Sequence, residues 1–517
     1  MTVIESTGSG GWATGGIWSG GVSRAGNEHD VVIKSGHDVT LEQDEQANSL
    51  TILSGGTLTI TGSTRKIRID SEADGTGDTT NGYAVQLAGD IVESGGGKLR
   101  IDIETPAATN VDLVANSGII QDLRINHASA VVNLRSAHTT LGSLTITAGE
   151  LDTYNSGSNI NLTVTGATTI GPNSGAADQA TLTCNASDIS LGAAVTSGYA
   201  LDVKRGGTFD GGSGTHTSGA VKVTTDSNAE AKLDFTSGTH VISSEYTSED
   251  RFFELTSGTV THSNGTILLN AALTSAIQWL GTAGDAGPYN LTLSHASNTT
   301  KPRNALTVLN NLTITSGTFN TQYDGSDKAL TVTGHVSVAG TLIGNESVIS
   351  MKSLTIAATG TYSATNQTTT INGEGDGTGG SSNGFALYNT ANGTFTHNNG
   401  MVAITTNTNT VVYGMEGDDT SGTGANAFNR LQVELGNAAY FVKLRPAAGT
   451  AHVIKGNVTV AEGILQTETD GHTLTIEGDV SIESGGTLGH ADHDAADSFK
   501  SLTISSGGTC IGSEGTT

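Results

Sequence analysis

Ser49-Leu50-Thr51-Ile52-Leu53-Ser54-Gly55-Gly56-Thr57-Leu58-Thr59-Ile60 is the stretch that decides the fold. Two short runs alternate apolar residues with threonine, and a Ser-Gly-Gly turn joins them. A period of two is that of a strand with one buried face, and Thr, Ile and Val suit a pleated surface. Glycine supplies the positive φ that tight turns require. The phrase returns as Leu144-Thr145-Ile146, Leu162-Thr163-Val164, Leu312-Thr313-Ile314, Leu330-Thr331-Val332, Val458-Thr459-Val460 and Leu474-Thr475-Ile476. Near the end it reads Ser501-Leu502-Thr503-Ile504-Ser505-Ser506-Gly507-Gly508-Thr509. Long 3.6-period stretches are missing, so few helices are expected.

Larger repeats lie over these runs. Leu123-Arg124-Ile125, Leu144-Thr145-Ile146 and Leu162-Thr163-Val164 recur 168 residues on as Leu291-Thr292-Leu293, Leu312-Thr313-Ile314 and Leu330-Thr331-Val332. A looser copy follows at Leu431-Gln432-Val433, Val458-Thr459-Val460 and Leu474-Thr475-Ile476. Asp74-Gly75-Thr76-Gly77 with Asn81-Gly82-Tyr83-Ala84 matches Asp376-Gly377-Thr378-Gly379 with Asn383-Gly384-Phe385-Ala386 at an offset of 302. Thr261-His262-Ser263-Asn264-Gly265 and Thr396-His397-Asn398-Asn399-Gly400 mark another shared turn.

A strand of a few residues cannot bury its apolar face alone, whereas rungs stacked on one another join small faces into a continuous core. The expected fold is therefore all-β with a repeat architecture, a parallel β-helix or β-solenoid. Tandem β-sandwich domains, also short-stranded and Gly-punctuated, are the alternative. The expected organisation is an N-terminal Trp/Gly-rich cap with the first rungs over 1–62, then β-repeat modules over 63–200, 201–365 and 366–517.

Fifty acidic residues stand against 23 basic ones, a net charge of −27. Such a body repels phosphate backbones and anionic membrane surfaces, so neither nucleic acid nor membrane insertion is expected. No apolar run of 18 residues occurs. Met1-Thr2-Val3-Ile4-Glu5-Ser6 has neither a basic segment nor an apolar core, so a cleaved export signal of the usual kind is not expected. Cys184 and Cys510 form no disulfide framework or CxxC pattern.

Two of the three Trp residues lie in the opening segment, Gly11-Trp12 and Trp18-Ser19-Gly20-Gly21-Val22, ahead of Asp30-Val31-Val32-Ile33 and Gly36-His37-Asp38-Val39-Thr40-Leu41. Buried indoles there suit a plug on the first rung. This opening resembles that of β-helical surface and virion proteins, including the domain named for its eight conserved glycines. There a Trp pair and Gly-Gly-Val precede a D-x-V-x-I and a G-x-x-V-x-L strand. Ser23 departs from the pattern, which usually has Pro. Gly393-Thr394-Phe395-Thr396-His397-Asn398-Asn399-Gly400 resembles repeats of phage structural proteins and bacterial adhesins. The resemblance implies a β-helix on a virion or cell surface and brings no catalytic residues.

Chemical constellations are sparse. Gly380-Ser381-Ser382-Asn383-Gly384 fits G-x-S-x-G, but a nucleophile elbow needs a strand before it and a helix after it, and this tract is turn-rich. Asp418 and Asp419 are the nearest carboxylate pair; the Gly-His-Gly and Arg-Ile-Lys signals of pectin-cleaving β-helices are absent. Asp74, Asp78, Glu374 and Asp376, in Gly-rich turns, are candidate oxygen ligands for a structural Ca2+. His490, Asp492, His493 and Asp494 form a compact His/Asp cluster. No other cofactor is implied.

The expectation is a non-enzymatic structural or adhesive protein of the virion surface: a phage fibre, spike or capsid decoration. Its partners would be itself, as a homotrimer, other virion or surface proteins, and host glycans. The alternatives are a bacterial cell-surface adhesin or extracellular filament subunit, and a polysaccharide-degrading tailspike.

Overall fold

The computed structural model describes residues 2–114, 116–136, 139–172, 179–225, 230–272, 276–279, 287–390, 392–414, 426–445, 451–467, 473–489 and 498–511. Among these the chain is all-β, and its one helical segment is a 3-10 turn at Ser19–Gly21. No helix among the described residues is long and apolar enough to cross a membrane. The chain divides into two compact units, one built from Met1–Thr266 and the other from Ile267–Trp279 with Ala286–Thr517. The division falls inside the 201–365 module read from the repeats.

In the first unit three parallel ladders run side by side. Leu162–Val164, Ile189–Leu191, His216–Ser218 and Thr239–Ile242 form one. Thr168–Ile170, Leu201–Val203, Val221–Val223 and Arg251–Leu255 form the second. Ala180–Thr183, Gly207–Asp210, Lys232–Asp234 and Thr259–Thr261 form the third. Each strand therefore pairs with the third strand after it, and corresponding residues lie between 20 and 33 positions apart. Loop length absorbs the variation, while the register holds the apolar residues in columns.

Leu182, Phe209, Leu233 and Val260 make one such column, all buried. A buried side chain of this size is worth roughly 1.5–3 kcal/mol, too little to order a three-residue strand alone. The column supplies what the strand lacks. At the N-terminus Trp12 and Trp18 are buried against each other, ring centroids 5.3 Å apart. The Trp18 indole N–H donates to the Trp12 carbonyl at 2.9 Å, so the polar edge of this buried ring is satisfied.

The second unit repeats the scheme. Leu312, Val336, Leu354, Leu387, Val412 and Leu444 lie in register on successive parallel strands. Leu342, Tyr362 and Phe395 form another column. Tyr362 and Phe395 meet at 5.7 Å, and Phe428 follows at 5.9 Å. The Tyr362 hydroxyl pairs with Thr369 at 2.7 Å, and burial pushes its phenol above the usual value.

Both sequence offsets appear as local structure. Tyr154–Asn155 with Ser158–Asn159, and Gln322–Tyr323 with Ser326–Asp327, are equivalent two-residue hairpins 168 positions apart. Apart from isolated bridges at Ser6–Trp18 and Tyr246–Arg251, they are the only antiparallel pairings among those described. A β-sandwich is antiparallel throughout, so the pairing does not favour the tandem-sandwich alternative. The paired Thr-His turns match as well: His262 and His397 accept at Nδ1 from the amides of Asn264 (3.2 Å) and Asn399 (2.9 Å).

Candidate functional site

The four carboxylates expected to bind Ca2+ are distributed over both units, Asp74 and Asp78 in the first, Glu374 and Asp376 in the second. Asp74 Oδ1 accepts from the Thr76 amide at 2.9 Å and the Thr76 hydroxyl at 2.6 Å. Asp78 lies 3.6 Å from the Lys34 ammonium. Asp376 Oδ1 accepts from the Thr378 amide (2.9 Å), the Thr378 hydroxyl (2.6 Å) and His335 Nε2 (3.1 Å). Its other oxygen lies 3.6 Å from Lys352. The hydrogen bonds from Thr378, aided by His335, hold the Asp376 carboxyl below its usual range. The oxygens of Asp74, Asp78 and Asp376, which the Gly-rich turns do place near the surface, thus face donors and cations of the chain itself. Among the described residues, no group of three His, Cys, Asp or Glu side chains converges as metal ligands. The carboxylate pair Asp418 and Asp419, and the cluster of His490, Asp492, His493 and Asp494, lie outside the described residues.

Sequence reading missed a Ser-His-Asp alignment. Ser353 Oγ lies 2.7 Å from His335 Nδ1, and Nε2 of the same ring donates to Asp376. Its order is inverted relative to a hydrolase triad. Ser353 and His335 are 1% and 2% exposed, whereas the Asp376 side chain is half exposed. A nucleophile must be reachable by substrate, and here the hydroxyl sits at the sealed end. The alignment pins the Asp376 turn to the sheet. The neighbouring Gly380-Ser381-Ser382-Asn383-Gly384 tract leads into the strand Phe385–Asn389, not a helix, so it is no nucleophile elbow.

A shallow polar depression of about 320 Å³ on the first unit is lined by Pro172, Asp202, Lys204, Lys222 and Thr224. Its ammonium groups have acidic neighbours, Lys204 at 3.3 Å from Asp202 and Lys222 at 3.6 Å from Glu254.

No family model, curated protein or solved structure matches the chain.

The most distinctive surface is on the second unit. Phe385–Asn389, Thr410–Tyr413 and Phe441–Arg445 are adjacent parallel strands whose register aligns Tyr388, Tyr413 and Arg445 in one row and Phe385, Val411 and Lys443 in another. Leu387, Val412 and Leu444 point inward and are buried. A bulge between Phe385 and Leu387 turns both Phe385 and Tyr388 to the outer face. Tyr388 and Tyr413 stack, with centroids 4.8 Å apart and planes 10° from parallel. Phe385 meets them edge-on at 5.0 and 5.8 Å. The Arg445 guanidinium lies 5.8 Å from the Phe385 centroid, and the Lys443 ammonium 4.8 Å from that of Phe441. All six side chains are half-buried.

The 302-residue repeat carries a reduced version. Tyr83, at the position of Phe385, lies under Arg135, with the guanidinium 5.6 Å from the ring and Nε donating to the hydroxyl at 3.0 Å. Gln86 takes the place of Tyr388, and Asp112 pairs with it in register. The stacked tyrosines are therefore an elaboration of the second unit.

Proposed function

We propose that the chain is a non-catalytic structural and adhesive protein of the virion surface, a fibre, spike or capsid decoration, built as a β-solenoid in each unit. The observation that carries the reading is the parallel in-register pairing of strands one repeat apart, which makes a stiff scaffold from short strands. Threonine and serine dominate the outward positions of these ladders, leaving a polar face suited to many weak contacts. The burial of Ser353 supports the non-catalytic part, and the half-buried aromatic and basic rows on the second unit support the adhesive part. A homotrimer with the strong negative charge directed to solvent fits the same role. The resemblance of the opening segment extends to bacterial adhesins, for which the same scaffold would be displayed on a cell.

The test is retention of the purified chain on envelope polysaccharide from candidate host cells, with reducing ends assayed in parallel. Retention without new reducing ends is expected. Released reducing ends would overturn the non-catalytic reading, and no retention on any host envelope would overturn the adhesive one.

A further inference from the structure

We propose that the outer face formed by Phe385, Tyr388, Tyr413, Phe441, Lys443 and Arg445 is a binding site for an extended acidic polysaccharide, an assignment that rests on the adhesive reading. The argument begins with what the rings leave exposed. Tyr388 and Tyr413 use a face each on one another, and Phe385 meets the pair edge-on. Solvent therefore meets ring edges and hydroxyls more than bare faces. Ring edges carry the positive part of the aromatic quadrupole. Neither phenol makes a hydrogen bond among the described residues, so both are available as donors. The Lys443 ammonium and Arg445 guanidinium stand at the same rows. Among the described residues, this face thus offers two phenol donors and the Lys443 ammonium, on a chain whose net charge is −27. Its complement is an anion rich in hydroxyls.

Geometry narrows the class further. The rows step along the ladder at the parallel-strand spacing, ~4.8 Å, which is near the advance of one hexose along an extended glycan. A ligand with that repeat can offer successive sugars to successive rungs. A folded protein partner would need a dry apolar centre, and the half-buried rings, with two phenol hydroxyls and the Lys443 ammonium among them, do not provide one. Stacked aromatics held on a rigid sheet lose little conformational entropy on binding, an advantage for a surface that gains little from each contact.

The experiment is calorimetric titration of the full chain with oligogalacturonates and with the same oligomers after carboxyl reduction. The expected result is binding of the acidic oligomers that weakens with salt, with the reduced oligomers at least about tenfold weaker. Tyr413→Ala and Lys443→Ala should each weaken binding about tenfold while leaving the melting temperature near that of the parent chain. Thr169→Ala, on the outer face of the first unit, should change nothing. Equal binding of acidic and reduced oligomers, undiminished binding by both variants, or no binding of either oligomer would overturn the proposal. Retention on host envelope in that last case would leave the adhesive reading standing, so the two fail separately.

Discussion

His216 and His240 occupy neighbouring register positions inside the first unit, rings 5.8 Å apart, each about 1% exposed. Phe209 and Phe235 abut them edge-on at 5.5 and 5.2 Å. Among the described residues neither His216 nitrogen has a hydrogen-bond partner, and His240 uses only Nε2, against Ser218 at 2.7 Å. Burial pushes His216 down to about 4 despite the opposing pull of Asp188, and burial together with His216 pushes His240 down to about 3. Both rings are neutral in the fold. Between pH 6.5 and these values the unfolded chain binds more protons, so stability is full above 6.5 and is lost as pH falls through the window. For His216 the loss is on the order of 3 kcal/mol. Urea midpoints measured from pH 7 to pH 4 should fall, and His216→Leu with His240→Leu should flatten that slope; an unchanged slope would show that these rings do not govern it.

Ser353 belongs to the same scale. Ser353→Ala leaves the buried Nδ1 of His335 without its partner, a cost of about 1–3 kcal/mol. The melting temperature should drop accordingly, with binding at the aromatic face retained. Loss of a hydrolytic activity in this variant would contradict the structural role assigned to the hydroxyl.

Among the elements, the Thr-His turns pack tightly against neighbouring backbone. A Cβ on Gly265 would lie 2.0 Å from the Thr236 carbonyl oxygen, and one on Gly400 1.9 Å from that of Thr365. Backbone must move to admit it, so Gly400→Ala should destabilise by roughly 1–3 kcal/mol in a denaturant titration. Wild-type stability would mean that the turn is looser than described. These turns, the strands and the 168-residue offset of the strand phrases were legible because period-two alternation and Gly or Asn at tight turns are local signals. Ladder membership was not, since loops vary the spacing between paired residues from 18 to 35. The aromatic rows escaped because the bulge in Phe385-Ala386-Leu387-Tyr388 breaks the alternation that would have marked both rings as outward. The alignment of Ser353, His335 and Asp376 joins separate strands and a turn, and nothing in the local pattern announces it.

For the whole molecule, the proposed homotrimer would pack the lateral faces of three copies against one another. Light scattering at working concentration should give three times the 52.3 kDa chain mass, and a clean monomer would contradict it. The charge of −27 and the all-β content were open to sequence reading, whereas the boundary after Thr266 was not, because the same strand phrases continue on both sides of it. Strands one repeat apart pair in parallel register. Thr163 and Ser190 are outward neighbours on adjacent strands, as are Ser190 and Thr217. Adjacent parallel strands are ~4.8 Å apart, within disulfide reach, and strands two apart are not. The direct measurement is oxidative cross-linking of cysteine pairs placed at these sites, mapped by mass spectrometry. Bridges for Thr163→Cys with Ser190→Cys and for Ser190→Cys with Thr217→Cys, but none for Thr163→Cys with Thr217→Cys, are the expected result; a bridge only between the outer two would contradict it.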